Sequence, residues 1–144
     1  MSSCEEESIG RQIYICGQTM RSYADQRLKK YDLTLEQLFV LKQLSANDGQ
    51  IQSQLCEGVG KSPANVTRIL DRLQKKGTVC RKNNPDDRRS TIVLLTEAGE
   101  RMLEDVRSSF EVYRSEVVAG ISPEKQKIAI DVLKKIQENV SALS

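Results

Sequence analysis

The sequence contains no histidine and no tryptophan, only 4% aromatic residues, three prolines and four cysteines. Each shortage excludes something. Without histidine there is no Ser-His-Asp or Cys-His nucleophile and no imidazole-ligated metal. Cys4, Cys16, Cys56 and Cys80 form no C-x-x-C pair, so a structural zinc site has no framework. Cys16, Cys56 and Cys80 read as small core hydrophobes and Cys4 as a tail residue. The rival reading of the thiols is a redox sensor, which needs an exposed thiolate of lowered pKa. No apolar run approaches the ~18–20 residues of a membrane span. The opening MSSCEEESI is acidic, unlike a secretory signal. The expectation is a cytoplasmic chain with no metal, no cofactor and no membrane partner. At 144 residues, one domain is the prior.

What is present points to packed helices: Leu, Ile and Val carry the apolar content. Ile9, Ile13, Cys16, Met20, Tyr23 and Tyr31 recur at helical steps, predicting a helix over 9–31. Thr34 and Gln37 form a capping box for a second helix whose core side is Leu35, Leu38, Phe39, Leu41 and Leu44. Asn47-Asp48-Gly49 is a turn before a short helix over about 51–58. Ser62-Pro63 starts a fourth helix, with Val66, Ile69, Leu70 and Leu73 inward and Gly77 as its stop. The period then changes. Thr78–Lys82 and Thr91–Leu95 are β-prone, with a polar turn over 83–89 between them, which predicts a hairpin. Thr96 and Ser122-Pro123 begin helices over 97–118 and 123–143. The last carries a near-heptad seam of Ala129, Leu133, Ile136, Val140 and Leu143. The fold class is mainly α with a small β-hairpin wing, a winged helix-turn-helix unit flanked by further helices.

Charge is unevenly placed. Residues 61–89 hold nine basic and three acidic residues, net +6, while the other 115 hold 13 and 17, net −4. Such a concentration on one helix and one hairpin is the footprint of a phosphate-backbone binder. At about 100° per residue, Thr67, Arg68, Asp71 and Lys75 point away from the buried stripe, and Asn65 and Arg72 flank it. That face suits a major groove, where Arg grips guanine and Asn grips adenine in bidentate fashion. Ser62 and the free N–H groups beside it suit a phosphate. Arg88 and Arg89 sit at the wing tip, positioned for a narrow minor groove, with Asp87 placed to pair with the Arg89 guanidinium.

The stretch SPANVTRILDRLQKKGTVCRKNNPDDRRSTIVLLT (62–96), its L-x-x-x-G exit at Leu73–Gly77 and its D-x-R-x-x-x-V-x-L-T run at 87–96 resemble the multiple-antibiotic-resistance regulator (MarR) family of bacterial transcription factors. LTLEQLFVLKQL at 33–44 is similar to that family's second helix. The resemblance implies a homodimer on palindromic double-stranded DNA. Residues 1–32 and 97–144 would supply interlocking dimerisation helices, and 33–96 the DNA-binding unit, all in one interwoven domain. By position it makes Arg89 the minor-groove arginine and Asp87 its orienting partner. It places Ser62, Asn65, Thr67 and Arg68 on groove-facing or phosphate-facing sites. It implies a repressor released by a small aromatic or phenolic ligand or by thiol oxidation. Tyr14, Arg21, Tyr23 and Arg27 on the first helix offer phenol and guanidinium groups for such a ligand, against a plainer reading as seam packing and surface cations.

Two rivals stand beside the DNA-binding reading. A winged-helix module for protein partners is disfavoured by the cationic helix, since protein interface cores are depleted in charge. An enzyme is disfavoured because no acid/base pair, nucleophile or metal set appears at useful spacing. Gly58-Val59-Gly60-Lys61-Ser62 imitates the end of a P-loop, but Leu55 stands where that motif needs glycine.

Overall fold

Six α-helices and three short strands make up residues 8–47 and 49–144, the part of the chain that the computed structural model describes. Cys4, most of the acidic leader and Asp48 of the expected turn lie outside the described residues. In order the elements are α1 (Ile9–Leu28), a 3-10 turn (Lys29–Tyr31), α2 (Leu35–Ala46), β1 (Gln50–Ile51), α3 (Gln52–Val59), α4 (Pro63–Lys75), β2 (Val79–Asn84), β3 (Asp87–Leu95), α5 (Glu97–Val117) and α6 (Pro123–Leu143). They form two compact units, one running to Val106 and the other from Arg107 to Ser144.

Short side chains set most of the helix starts. Thr34 Oγ1 accepts from Gln37 N–H, and Gln37 Oε1 accepts from Thr34 N–H, both at 3.2 Å. Ser62, Thr96 and Ser122 accept from Asn65, Gly99 and Lys125 N–H in the same way. At α3 the cap is half made: Ile51 has no side-chain acceptor, so only Gln54 Oε1 answers, taking Ile51 N–H at 3.3 Å.

The core of the first unit is aliphatic. Leu38, Leu41 and Leu44 of α2, Leu55 of α3, Val66, Leu70 and Leu73 of α4, and Val79 and Val93 of the sheet are all fully or almost fully buried. Phe39, expected on the core side of α2, is 47% exposed, and Val40 is buried instead. Helical rotation explains it: residues 38, 41 and 44 face inward, and 39 lies on the far side of that arc.

The sheet has three antiparallel strands in the order β1-β3-β2, one more than the hairpin the sequence suggested. Gln50 and Ile51 pair with Val93 and Ile92. Residue 51, expected to begin the third helix, belongs to this strand. The buried Gln50 also donates from Nε2 to the Gln43 carbonyl at 2.6 Å, satisfying the end of α2. The hairpin strands are longer than expected and the turn shorter, since only Pro85 and Asp86 separate Asn84 from Asp87.

The apolar stripe predicted on α1 is mostly uncovered in the single chain. Ile9, Ile13, Met20 and Tyr23 are exposed, and only Ala24 and Leu28 of this helix are buried. Cys16 shares that exposed stripe, and Cys56 and Cys80 are half-buried, so these thiols do not fill the core as expected. In the second unit, Phe110 and Tyr113 of α5 are buried and pack edge to face at 5.5 Å. No residue of α6 is buried, with Ile128 63% and Val140 60% exposed.

Helix α5 leaves the sheet at Gly99, where a β-carbon would collide with the Thr78 carbonyl and stand 3.0 Å from Leu95 Cδ1. The obstruction is backbone and cannot rotate away. Gly99→Ala is expected to destabilise the fold by about 1–3 kcal/mol. Urea unfolding at a fixed protein concentration checks this, with Gly10→Ala as control because nothing lies within 4 Å of a β-carbon there.

Candidate nucleic-acid interface

Helix α4 is amphipathic because its apolar residues fall at i, i+4 and i+7: Val66, Leu70 and Leu73 are buried. Its other faces are thereby turned outward. Pro63 at the first helical position and Ser62 as N-cap pre-organise the start, and the left-handed Gly60 (φ +66°) closes α3 just before it. Gln52 at the start of α3 donates from Nε2 to Thr67 Oγ1 at 2.8 Å, and Thr67 donates to the Pro63 carbonyl at 2.9 Å. The two helices of the helix-turn-helix are thus joined through one hydroxyl. Thr67 has its hydroxyl occupied on both sides, leaving its methyl group for contact.

The predicted helix residues stand on the exposed side. Ser62, Asn65, Arg68 and Arg72 are exposed and Thr67 half-buried. Asn65 Oδ1 accepts from Arg68 Nη2 at 2.5 Å, so the two act as one hydrogen-bonding unit. Lys61, Asn65, Arg68 and Arg72 line a cleft of about 310 Å³ with Thr34, the N-cap of α2, and Glu36 in its first turn. Among the described residues, Lys61, Arg72, Lys75, Lys82, Arg88 and Arg89 have no ion-pair partner, so these cations have their charged groups free.

The wing tip is assembled from polar side chains. Asn83 pairs with Thr91 and Asn84 with Asp87, so Arg88, Arg89 and Ser90 bulge out of register between them. Asn84 Oδ1 accepts from Asp86 N–H at 3.0 Å, and its Nδ2 donates to Ser90 Oγ at 2.8 Å. Ser90 Oγ donates in turn to the Asp87 carbonyl at 3.2 Å. Asp87 Oδ1 accepts from the Arg89 backbone N–H at 2.9 Å. The expected pairing of Asp87 with the Arg89 guanidinium is therefore replaced by a main-chain contact. An Asx-type bond two residues ahead is the shorter reach and leaves the guanidinium free.

Arg81, one of the nine basic residues of 61–89, does not have its charged group free. Its Nε donates to Gln74 Oε1 at 2.7 Å and its Nη2 to Asp71 Oδ1 at 2.6 Å. Asn84, Ser90, Gln52 and Gln74 were likewise not singled out. Asn83-Asn84-Pro85-Asp86 did carry an Asx-turn signal that pointed to Asn84, whereas Gln52 and Gln74 meet partners 15 and 7 residues away.

Tyr14, Arg21, Tyr23 and Arg27 all lie on α1 but answer mainly to near neighbours. Tyr14 OH accepts from Gln18, and Tyr23 OH accepts from Arg27, whose guanidinium lies 5.7 Å from the Tyr23 ring centroid. Arg21 is paired with Glu36 of α2 and stands 3.9 Å from Asp25.

Residues 33–91, from α2 through the wing bulge, match the MarR family. The HTH-type transcriptional regulator YdgJ of Bacillus subtilis (strain 168) is 37% identical over 90 residues, 62% of this chain and 55% of that one, so the chain spans about half the length of this relative. A mutant MarR from E. coli complexed with operator DNA superposes with a TM-score of 0.86 at 26% identity, over 92% of this chain and 95% of that one. MepR of S. aureus, in its DNA complex, gives 0.86 at 25% identity, over 92% and 98%.

The main-chain role of Asp87 has a direct test. In Asp87→Ala the Arg89 amide loses its acceptor, and its hydrogen exchange by NMR is expected to quicken on the order of tenfold. Unchanged exchange at Arg89 would show that the bulge holds without the carboxylate.

Proposed function

We propose that the chain, whose residues 33–91 match the MarR family, is a member of that family: a sequence-specific DNA-binding transcriptional regulator, working in the cytoplasm as a homodimeric repressor on a palindromic operator. The observation that carries this reading is the set of free cations on α4 and the wing, in a winged helix-turn-helix frame. Arg68 and Asn65 lie toward the first half of α4, the part of a recognition helix that reaches base edges. Arg72 and Lys75 follow along its outer side and serve phosphates. Arg88 and Arg89, pushed out by the bulge, reach a flanking minor groove.

Homodimerisation accounts for the uncovered apolar surface. On α1 it is Ile9, Ile13 and Met20, and on α6 it is Ile128, Leu133 and Val140. Exposed apolar groups at this density mark an interface. The effector in this reading is a small aromatic or phenolic molecule. The exposed Tyr14 and Tyr23 rings and the Arg21 and Arg27 guanidinium groups are its candidate contacts. A thiol-responsive regulator is the second reading, and the exposed Cys16 on the α1 stripe is what favours it.

The test begins with selection of a preferred sequence from random duplex DNA, followed by fluorescence anisotropy on that duplex and on a scrambled one across several salt concentrations. Tight, salt-steep binding with clear preference for the selected duplex is expected. Arg89→Ala should weaken binding and lower the salt slope by about one contact per protomer. Equal affinity for both duplexes would sink the sequence-specific reading. Light scattering should give twice the chain mass, falling to one chain in an Ile128→Asp, Val140→Asp double variant; a monomeric wild type would remove the dimer.

A further inference from the structure

We propose that Arg81 is a positioning residue that locks the angle between α4 and the wing, and that Asp71 and Gln74 are its seat. The proposal rests on the reading of α4 and the wing as the two DNA-contacting parts. Asp71 and Gln74 are three residues apart and so share one face of α4. The planar guanidinium of Arg81 spans both, with Nε on Gln74 Oε1 at 2.7 Å and Nη2 on Asp71 Oδ1 at 2.6 Å. Its side chain is only 24% exposed, although Asp71 is 53% exposed. Arg81 lies opposite the fully buried Val93 in the β2–β3 ladder, so both side chains share the inward face of the sheet. The stem of Arg81 thus lies over the core, and its head meets the helix across a cleft of about 440 Å³ that Lys75 also lines.

Two features argue for a dedicated clamp. A carboxylate on the exposed side of a DNA-reading helix repels phosphate, and Asp71 is the single acid of α4. Its retention there has a ready account when its charge is occupied by Arg81. The location also matters: Arg81 is the third residue of β2, and Asn84 at the tip is three residues farther on. That arm is about 10 Å, so a tilt of about 10° at its base moves the tip by about 2 Å. Recognition contacts tolerate roughly 0.5 Å. Looseness at Arg81 would leave each half of the interface able to bind while spoiling their joint fit to one sequence. Specificity should fall more than affinity.

The experiment measures operator and scrambled affinities across salt for wild type, Asp71→Ala, Arg81→Ala and Arg81→Lys. Asp71 is exposed and alanine suits a helix, so Asp71→Ala is expected to fold. A clamp predicts that Asp71→Ala raises affinity for scrambled DNA, with a salt slope steeper by about one as Arg81 is freed, and lowers the operator-to-scrambled ratio roughly tenfold. Equal gains on both duplexes would mean that Asp71 is merely a repelling charge, and would overturn the clamp. Arg81→Ala should lower the ratio with the slope unchanged. A slope lower by about one with the ratio intact would make Arg81 a phosphate contact instead. Arg81→Lys keeps the charge but not the fork, and a wild-type ratio there would also overturn the proposal. The Arg81 Nη2–H resonance of the protein without DNA separates the two layers: protected in wild type and unprotected in Asp71→Ala if the clamp exists, unprotected in both if it does not. A protected resonance in a protein indifferent to DNA sequence would condemn the DNA reading and leave the clamp standing.

Discussion

The frame that carries α4 and the wing depends on one knot of hydrogen bonds where α4 ends and the sheet begins. The Leu73 carbonyl accepts from both Thr78 N–H and Thr78 Oγ1, at 3.0 and 2.9 Å. The Thr78 carbonyl accepts from Thr96 N–H at 3.0 Å, and Thr96 Oγ1 donates to the Gly77 carbonyl at 2.5 Å while accepting from Gly99 N–H. The last turn of α4, the first residue before β2, the residue after β3 and the first turn of α5 therefore meet at two threonines. Thr78 is almost wholly buried, so its hydroxyl bond to the Leu73 carbonyl is shielded from competing water. Gly77, at φ +76°, supplies the left-handed step that lets the helix exit directly into the strand. Lys76 adds a tie to the other side, donating to the Asp32 carbonyl and to Gln37 Oε1. Helix and wing can thus be treated as one piece whose internal angle is set locally.

That geometry sorts the cations into two kinds. Arg81 and Lys76 are consumed inside the protein, one on α4 and the other on the α1–α2 junction. Among the described residues, Lys61, Arg72, Lys75, Lys82, Arg88 and Arg89 keep their charged ends available, and Arg68 shares a hydrogen bond with Asn65. A charge count over residues 61–89 cannot tell these kinds apart, since it weighs a structural guanidinium and a phosphate-seeking one alike.

Much of the fold was legible because its signals are short-range. Thr34, Ser62, Thr96 and Ser122 announce helix starts through bonds only three residues long, and each occurs as read. Val66, Leu70 and Leu73 of the inward stripe of α4 follow from spacing alone, while Ile69, expected with them, is half-buried and lines the cleft beside Arg68 and Arg72. What escaped depends on distant partners or on rotation. Strand β1 is two residues long, and nothing within Gln50-Ile51 reveals that Val93 and Ile92 will lie beside it. Phe39 was drawn inward by its hydrophobicity, whereas its angle on the helix puts it outside. Periodicity on α1 shows an apolar face but not what covers it. At the candidate interface, residue types pointed to Arg68, Arg72, Arg88 and Arg89. The Asp87 main-chain bond and the Arg81 fork needed coordinates, because several acceptors lay within reach of each donor.

The segregation of charge bears on kinetics as well as contact. With net +6 held in 29 consecutive residues and net −4 over the rest, the molecule is an electrical dipole despite its total of only +2. In the field of a polyanion a dipole feels a torque before it feels a contact. On the proposed function, the basic helix and wing would be turned toward the duplex during approach. Such an encounter would be pre-oriented over about one Debye length, roughly 8 Å at physiological salt. Raising the ionic strength would shorten the range of that torque and slow productive arrival, even where the final contacts are unchanged.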